Sequence, residues 1–534
     1  MKKNLFIRII ATVFFALILY YFMLPPINLH AFSFYMYLIM VLAFYLVISI
    51  PSLFVNVITS KVKHMHFNFE NKSIKYLFLV VVGIIPVILL VNFVLSPVFN
   101  SKSYYERISV NEEADFETDV AEVDFNHIPL LDKDSSRKLG DRVMGQMTDL
   151  VSQFYVSDLY TQINYNNQIV RVTPLEYSSI IKYFTNRKEG IPAYITVDSV
   201  NGKASLNRLS KGMKYMPSSL FFENLYRKLR LDYPTLIFGD ESFEIDNEGN
   251  PYWVVPIIKY TGVGLRRDVS GVVIFNPIDG TSKKYDTKDI PTWVDHVYNA
   301  DLIIEQVNDW GLYKNGFLNT LFGQKEVVAT TEGYNYTIMN DDVYLYTGIT
   351  SVVSDESNIG FILTNMRTKE TKFYKIAGAE EYSAMASAEG QVQQMKYTAS
   401  FPLLINFNGK PTYLLSLKDA AGLVKMYAFV DVKDYQKVVV TDSSKGILEA
   451  AQNYLGDEKV IDEEKLKTEK ITIKEIRTSV IDGNTYYYIL DTNNNKYKVS
   501  IKVNNIIPFL NNKDEINITY EDDKDIKEII KLEK

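Results

Sequence analysis

Beyond its first hundred residues this 534-residue chain carries two histidines, His127 and His296, and it contains no cysteine anywhere. Acyl transfer by a Ser–His pair would need one of those imidazoles beside a serine that the fold delivers. His296 follows Asp295 in a stretch of helical spacing and falls off its apolar stripe, so it reads as an exposed helix histidine. His127 sits in a loop before Pro129 and reads the same way. The missing cysteines exclude thiolate nucleophiles, disulfides and Cys-ligated metals. Two histidines fall short of the three or four ligands that zinc wants.

Oxygen ligands alone could hold calcium, and paired carboxylates could cleave glycosides. Asp491-Thr492-Asn493-Asn494-Asn495 begins like a calcium loop, but Lys496 stands where the sharp turn requires glycine and Lys502 where a bidentate glutamate belongs. Asp246-Asn247-Glu248-Gly249 fits a hairpin turn. The pairs Asp240/Glu241 and Glu380/Glu381 could suggest glycoside cleavage, yet neighbours in sequence read as solvated surface. Gly262-Val263-Gly264 lacks the lysine and the following helix of a phosphate loop. Arg266 and Arg267 read as polar residues in a loop between strands. No catalytic, cofactor-binding or metal-binding residue is assigned, and the balance is against an enzyme.

The elements that would position any site start with three apolar spans, Leu5–Leu24, Phe32–Val57 and Tyr76–Leu95. Each is close to or above the ~20 residues needed to cross a bilayer. Lys2, Lys3 and Arg8 flank the first. Lys61, Lys63, Lys72 and Lys75, with His64 and His66, fill the loop between the second and third, whereas the loop at Pro25 to Asn28 has no positive charge. Both basic clusters belong on the cytoplasmic side, which puts the N-terminus inside and everything after Leu95 outside. The first span runs into Pro25-Pro26 without a small-residue cleavage site, so it reads as a retained helix. The spans hold no Asp or Glu, unlike coupled ion pathways, and Pro51, Gly83 and Pro86 fit helix kinks and packing equally well. Residues 1–98 carry a net charge of +6 and the remainder −13, a poor basis for holding nucleic acid. An external region without disulfides, rich in Lys, Asn, Ile and Tyr, points to the plasma membrane of a bacterium.

Residues 100–125 read as an acidic, solvated spacer. A helix is expected next, with Leu139, Val143, Met147, Leu150 and Phe154 on one face and Asp134, Ser135 and Ser136 at its start. The region 155–442 repeats itself. Gly249-Asn250-Pro251-Tyr252-Trp253-Val254 recurs 160 residues later as Gly409-Lys410-Pro411-Thr412-Tyr413-Leu414, and Gly262 meets Gly422 at the same offset. Gly271-Val272-Val273-Ile274-Phe275-Asn276 recurs 89 residues later at Gly360 to Asn365, carrying Tyr285 onto Tyr374. Ala193 to Asp198 is a shorter relative. Helices are expected along Trp293, Val297, Ala300, Ile304 and Val307, started by Pro291, over Glu380 to Met395, and over Ser444 to Leu455.

The stretch from Glu381 to Val440 resembles a PepSY-type domain. The matching features are the helix Glu381–Ala388, Gly390-Gln391-Val392, Gly409-Lys410-Pro411-Thr412-Tyr413 and Ala428-Phe429-Val430-Asp431. This chain has Lys433-Asp434-Tyr435 where the family usually continues Thr-Gly. The resemblance implies an α+β module of a helix and a small antiparallel sheet, a role in binding or inhibiting peptidases or in sensing at the envelope, and no catalytic residues. A charged linker (456–469) leads to strands at Ile471–Ser479, Asn484–Leu490, Lys496–Val503 and Glu515–Tyr520, with turns at Asp482-Gly483 and Asn493 to Asn495. These suggest a small SH3-like or OB-like barrel. Tyr486, Tyr487 and Tyr488 are present, but residues 456–534 count fourteen basic against seventeen acidic residues, which favours a protein- or glycan-facing adaptor.

The expected chain is therefore α+β. It has a three-helix anchor (1–98), a spacer and amphipathic helix (99–155), a first PepSY-like region (156–290), a middle α+β part (291–378), a last PepSY-like part (379–455), the linker (456–469) and the barrel (470–534). The expected function is a membrane-anchored extracytoplasmic binding or scaffold protein that contacts envelope proteins, with no cofactor and no nucleic acid. The alternatives are a subunit of a secretion or transport machine and an envelope hydrolase with an unrecognised site.

Overall fold

The computed structural model describes residues 2–49, 72–339, 342–352, 354–456, 466–481, 484–501, 503–504, 506–521 and 526–534. The expected end of the second span at Val57 and the basic residues Lys61, Lys63, His64 and His66 lie outside them, as do the turn Asp482-Gly483 and most of the charged linker. The fold is mixed α+β and divides into two compact parts, Met1–Ala450 and Ala451–Lys534.

Three helices near the N-terminus are long and apolar enough to cross a membrane, over Leu5–Met23, Phe32–Ser49 and Lys75–Val94. Few of their side chains are buried, as expected of surfaces that meet lipid rather than a protein core.

In the rest of the first part, one module recurs four times. Each consists of a helix followed by an antiparallel meander whose first strand is split in two, both pieces pairing with the second strand. The helices are Lys133–Gln146, Leu225–Asp232, Ala300–Tyr313 and Glu381–Gly390. The split strands are Phe154–Val156 with Thr161–Tyr165, Ile237–Phe238 with Ser242–Ile245, Val328–Thr330 with Asn335–Met339, and Thr398–Ala399 with Leu403–Phe407. Two of these sheets, Phe154 to Met213 and Ile237 to Asp286, fill the stretch where the sequence suggested one region (156–290).

Local backbone details repeat with the topology. The third strand carries one unpaired residue at Ser270, Ile359 and Lys425 in modules two to four, directly before Gly271, Gly360 and Met426. In module one the register shift lies instead between the third and fourth strands, across Pro192. The turn after that strand opens each time on an Asx whose side chain accepts a backbone N–H two residues on: Asp198, Asn276, Asn365 and Asp431. Such Asx turns explain why Asp and Asn recur there. Gly271 and Gly360 answer a steric need, since a Cβ would lie 2.2 Å from the Tyr285 carbonyl oxygen and 2.3 Å from that of Tyr374.

The second module's sheet is buried on both faces. Trp253, Val255, Val273 and Phe275 join a core shared with module one. Val254, Val272 and Ile274 face a second core with the helix Ala300–Tyr313 and module three. A strand covered on two sides must be apolar at every position, hence the unbroken runs Trp253-Val254-Val255 and Val272-Val273-Ile274-Phe275.

Several expectations need correction. Residues 100–125 are a packed strap rather than a solvated spacer. Tyr104, Ile108, Phe116, Val120 and Phe125 are buried, Val110–Asn111 pairs with Thr371–Lys372, and the Phe125 ring meets those of Phe407 and Phe429. The acidic residues between them occupy the outer side of this strap. The first amphipathic helix ends at Gln146, with Asp132 as its N-cap rather than Asp134, and Leu150 and Phe154 reach the core from a turn and a strand. The helix expected from Pro291 begins at Ala300, because Asn299 caps it and because the N–H groups of Val297 and Tyr298 bond to the Met366 carbonyl. Toward the end of this part, the turn Ser443–Lys445 is separated from the helix Ile447–Leu455 by Gly446 at φ 84°.

The second part is a closed five-stranded barrel in the order Leu466–Ile481, Asn484–Asp491, Lys496–Ser500, Lys527–Glu533, Glu515–Glu521. The strand Lys527–Glu533, unforeseen in its charged sequence, pairs parallel with Lys496–Ser500 and places Ile529 and Leu532 in the barrel core.

Candidate functional site

The strongest concentration of buried polar groups lies where module one meets modules two, three and four. Its base is the hairpin Thr161–Tyr165/Gln168–Tyr177, in which Gln162 and Arg171 are direct cross-strand partners. Both are buried, at 1% and 6% exposure. Among the described residues the Arg171 Nε and both polar atoms of the Gln162 amide lack hydrogen-bond partners. They line a cavity of about 20 Å³ together with Asp132, Asn335, Ser400 and Ser416. Burial lowers the Arg171 pKa to about 10, against the opposing pull of Asp132 and Tyr336. For Asp132, burial is outweighed by Lys418 and the Ser135 N–H, which hold its carboxyl below the usual range.

Behind Gln162 stand two buried carboxylates. Glu244 accepts the Ser242 hydroxyl at 2.6 Å and the N–H groups of Asp295 at 2.8 Å and His296 at 3.2 Å. Asp295 in turn accepts the Asn164 N–H at 2.7 Å. Burial first, and then the nearby Glu244 charge, push the Asp295 carboxyl well above its ordinary range. His296 is half-buried in the loop before the helix, not exposed upon it. Its Nε2 lies 2.7 Å from the Gln162 carbonyl and its ring packs edge-on to Tyr336. The sequence placed Asp295 and His296 beside each other but could not show Glu244, Gln162 or Arg171, which arrive through tertiary contact.

This arrangement has no nucleophile aligned with His296, whose Nε2 is engaged by a carbonyl, and the adjoining cavity is of a size for water rather than an organic substrate. Its carboxylates receive backbone N–H groups, so the cluster can fix the mutual orientation of three modules.

The other candidates separate clearly. His127 is exposed and bonds Asp124 at 2.5 Å. Asp246 and Asp491 make the same turn. Each accepts N–H groups two and four residues on through Oδ1 and the side-chain amide of that fourth residue through Oδ2, so both are hairpin turns rather than cation loops. No metal-ligand cluster occurs among the described residues. Asp240 is exposed, while Glu241 accepts the Tyr226 hydroxyl at 2.5 Å. Glu381 corrects the solvated reading of its pair. It is fully buried, accepts the Thr331 hydroxyl at 3.0 Å, and is raised in pKa chiefly by burial. Arg267 pairs with Glu305 at 2.6 Å.

The Gly262-Val263-Gly264 loop has a role that the sequence did not reveal. The Gly262 carbonyl lies 2.7 Å from His30 Nδ1, Asn92 exchanges bonds of 2.8 and 3.0 Å with Val263, and the Gly264 N–H donates to the His30 carbonyl. It fastens module two to the ends of the second and third apolar helices. An apolar groove of about 650 Å³ beside it is lined by Leu29, Tyr35, Ile84, Val87 and Val91.

No protein-family profile matches the chain, and no curated protein matches it. Among solved structures, the crystal structure of the N-terminal domain of Nup159 aligns at 8% identity over 62% of this chain and 86% of that one, with a TM-score of 0.10. A score that low carries no argument about fold or function.

Proposed function

We propose that this protein is a membrane-anchored binding or scaffold protein of the bacterial cell envelope. Its N-terminus would be cytoplasmic and its four modules external, presenting PepSY-like surfaces to protein partners. The observation that carries this reading is the fourfold recurrence of one helix-and-meander module beside three apolar helices. Arrays of like modules build extended binding surfaces rather than single catalytic clefts. A helix followed by a small antiparallel sheet is also what the PepSY resemblance implies, and it recurs in all four copies.

Two further points support it. The carboxylates between modules, Glu244 and Asp295, accept backbone N–H groups, which suits a rigid frame. The barrel's order, with its last two strands exchanged and a parallel closing pair, supports an OB-like adaptor.

The test is affinity purification of tagged full-length protein from crosslinked native membranes, alongside a chain whose three helices are replaced by an unrelated anchor. A near-stoichiometric protein partner retained by both chains is expected. Loss of the partner on anchor replacement would assign the protein to a membrane machine, and isolation of the protein alone would overturn the scaffold reading.

A further inference from the structure

We propose that the modules are themselves seated on the bilayer by two apolar prongs that enter the lipid headgroup layer beside the spans. This rests on the reading that the three apolar helices cross a membrane.

The first prong is formed by the helix Ile180–Asn186 and the turn Phe221–Glu223 of modules one and two. Ile181 is 71% exposed and Phe222 64%, with Ile180 and Phe184 also open. Its level is fixed by contacts with the end of the first apolar helix. The Phe222 ring meets that of Tyr21 at 6.5 Å, the Arg227 guanidinium lies 4.0 Å over the Tyr21 ring, and Arg230 Nε donates to the Leu24 carbonyl at 2.9 Å. Tyr21 belongs to the last turn of the apolar stretch Leu5–Met23. Phe221 adopts a left-handed backbone at φ 52°, which aromatic residues avoid. Arg227 holds it there by donating to the Phe221 carbonyl at 2.5 Å. The Phe221 ring meets that of Phe184 at 6.2 Å, so the strained turn gathers Phe184, Phe221 and Phe222 into one exposed apolar patch.

The second prong follows the helix Ala300–Tyr313. Leu318 and Leu321 are exposed, and Phe322 is 84% exposed. That helix packs against Pro97–Tyr105, which begins three residues after the third apolar stretch ends at Val94. A Cβ on Gly316 would lie 3.9 Å from Ser101 Oγ, so the prong starts beside the emerging chain.

Lipid is the occupant to which these observations point, because both prongs continue the apolar surface of the spans at their exits. Large aromatic and aliphatic side chains with lysines nearby (Lys182 and Lys188 on the first prong) suit the interface between headgroups and acyl chains. The acidic remainder of the region would stay in water.

The cysteine-free chain makes the test direct. Single-cysteine variants Ile181→Cys, Phe222→Cys and Leu321→Cys of the full-length protein are labelled with an environment-sensitive fluorophore. They are reconstituted into vesicles of phosphatidylcholine and phosphatidylglycerol that carry a spin label near the headgroup. Leu17→Cys reports the first span, and Lys396→Cys a polar turn of module four. Blue-shifted emission and severalfold stronger quenching at all three prong positions than at Lys396 are expected. Quenching at Leu17 with water-like emission at the prongs would overturn the proposal alone, leaving those residues for a protein partner. Water-like emission at Leu17 as well would overturn the membrane reading beneath it.

Discussion

If the modules are copies of one design, equivalent glycines should fail alike. Gly271 and Gly360 occupy the same position, after the bulge of the third strand and against the carbonyl of an equivalent tyrosine. In Gly271→Ala and Gly360→Ala the new methyl would start 2.2 and 2.3 Å from that oxygen, about 1 Å short of ordinary contact. The fourth strand must retreat by a similar distance, which stretches two ladder hydrogen bonds beyond useful length. Losing two bonds costs about 2 kcal/mol, and the stiffer unfolded chain returns about 0.5–1 kcal/mol. The net of about 1–1.5 kcal/mol corresponds to roughly tenfold faster local exchange. Hydrogen–deuterium exchange of the full-length protein, followed on peptides covering 271–286 and 360–374, measures it. Each variant should loosen its own module by a similar factor, while Gly390→Ala, which meets nothing within 4 Å, should change little. Unchanged exchange in either strand variant, or effects an order of magnitude apart, would refute the equivalence.

Two other outcomes follow from buried charge. Burial lifts the Glu176 carboxyl to about 7 from 4.5, despite the Ser218 hydrogen bonds. The folded state therefore holds its proton more tightly, and stability contributed by the neutral form is lost as pH rises from about 4.5 through 7. Glu176→Gln should be neutral at pH 5 and stabilising by up to ~3 kcal/mol at pH 8, read by thermal unfolding at both values; a gain equal at both pH values would contradict the assignment. Arg367 binds Asp342 by two bonds of 2.7 and 2.8 Å at a largely buried site. Arg367→Met should cost about 3 kcal/mol by leaving that carboxylate without its cation, and an unchanged melting temperature would show the pair to be dispensable.

What the sequence displayed was whatever had a local cause. The apolar spans are legible because a bilayer demands unbroken hydropathy. Modules two and four could be aligned because Gly249, Gly262, Gly409 and Gly422 all take positive φ, and module three could be aligned with module two because a Cβ on Gly271 or Gly360 would strike a carbonyl oxygen. Module one showed only the shorter likeness at Ala193 to Asp198, because Asn166 and Asn167 make its hairpin and Ala193 stands where modules two and three have glycine. The strap around Phe116 and Phe125 was hidden by its acidic neighbours. The helix after Pro291 was misplaced because tertiary bonds to Met366 hold Val297 and Tyr298 outside it. The polar cluster was invisible for a plainer reason: Gln162 and His296 lie 134 residues apart and meet only in the fold.

The most direct test of the scaffold account places a photoreactive amino acid at exposed positions of module four, Tyr382, Leu423 and Tyr435, and at Leu17 in the first span, in native membranes. The account predicts crosslinks from module four to one envelope protein in high yield, with adducts at Leu17 chiefly to lipid. Absence of protein adducts from the module positions, with protein crosslinks confined to the span, would contradict it.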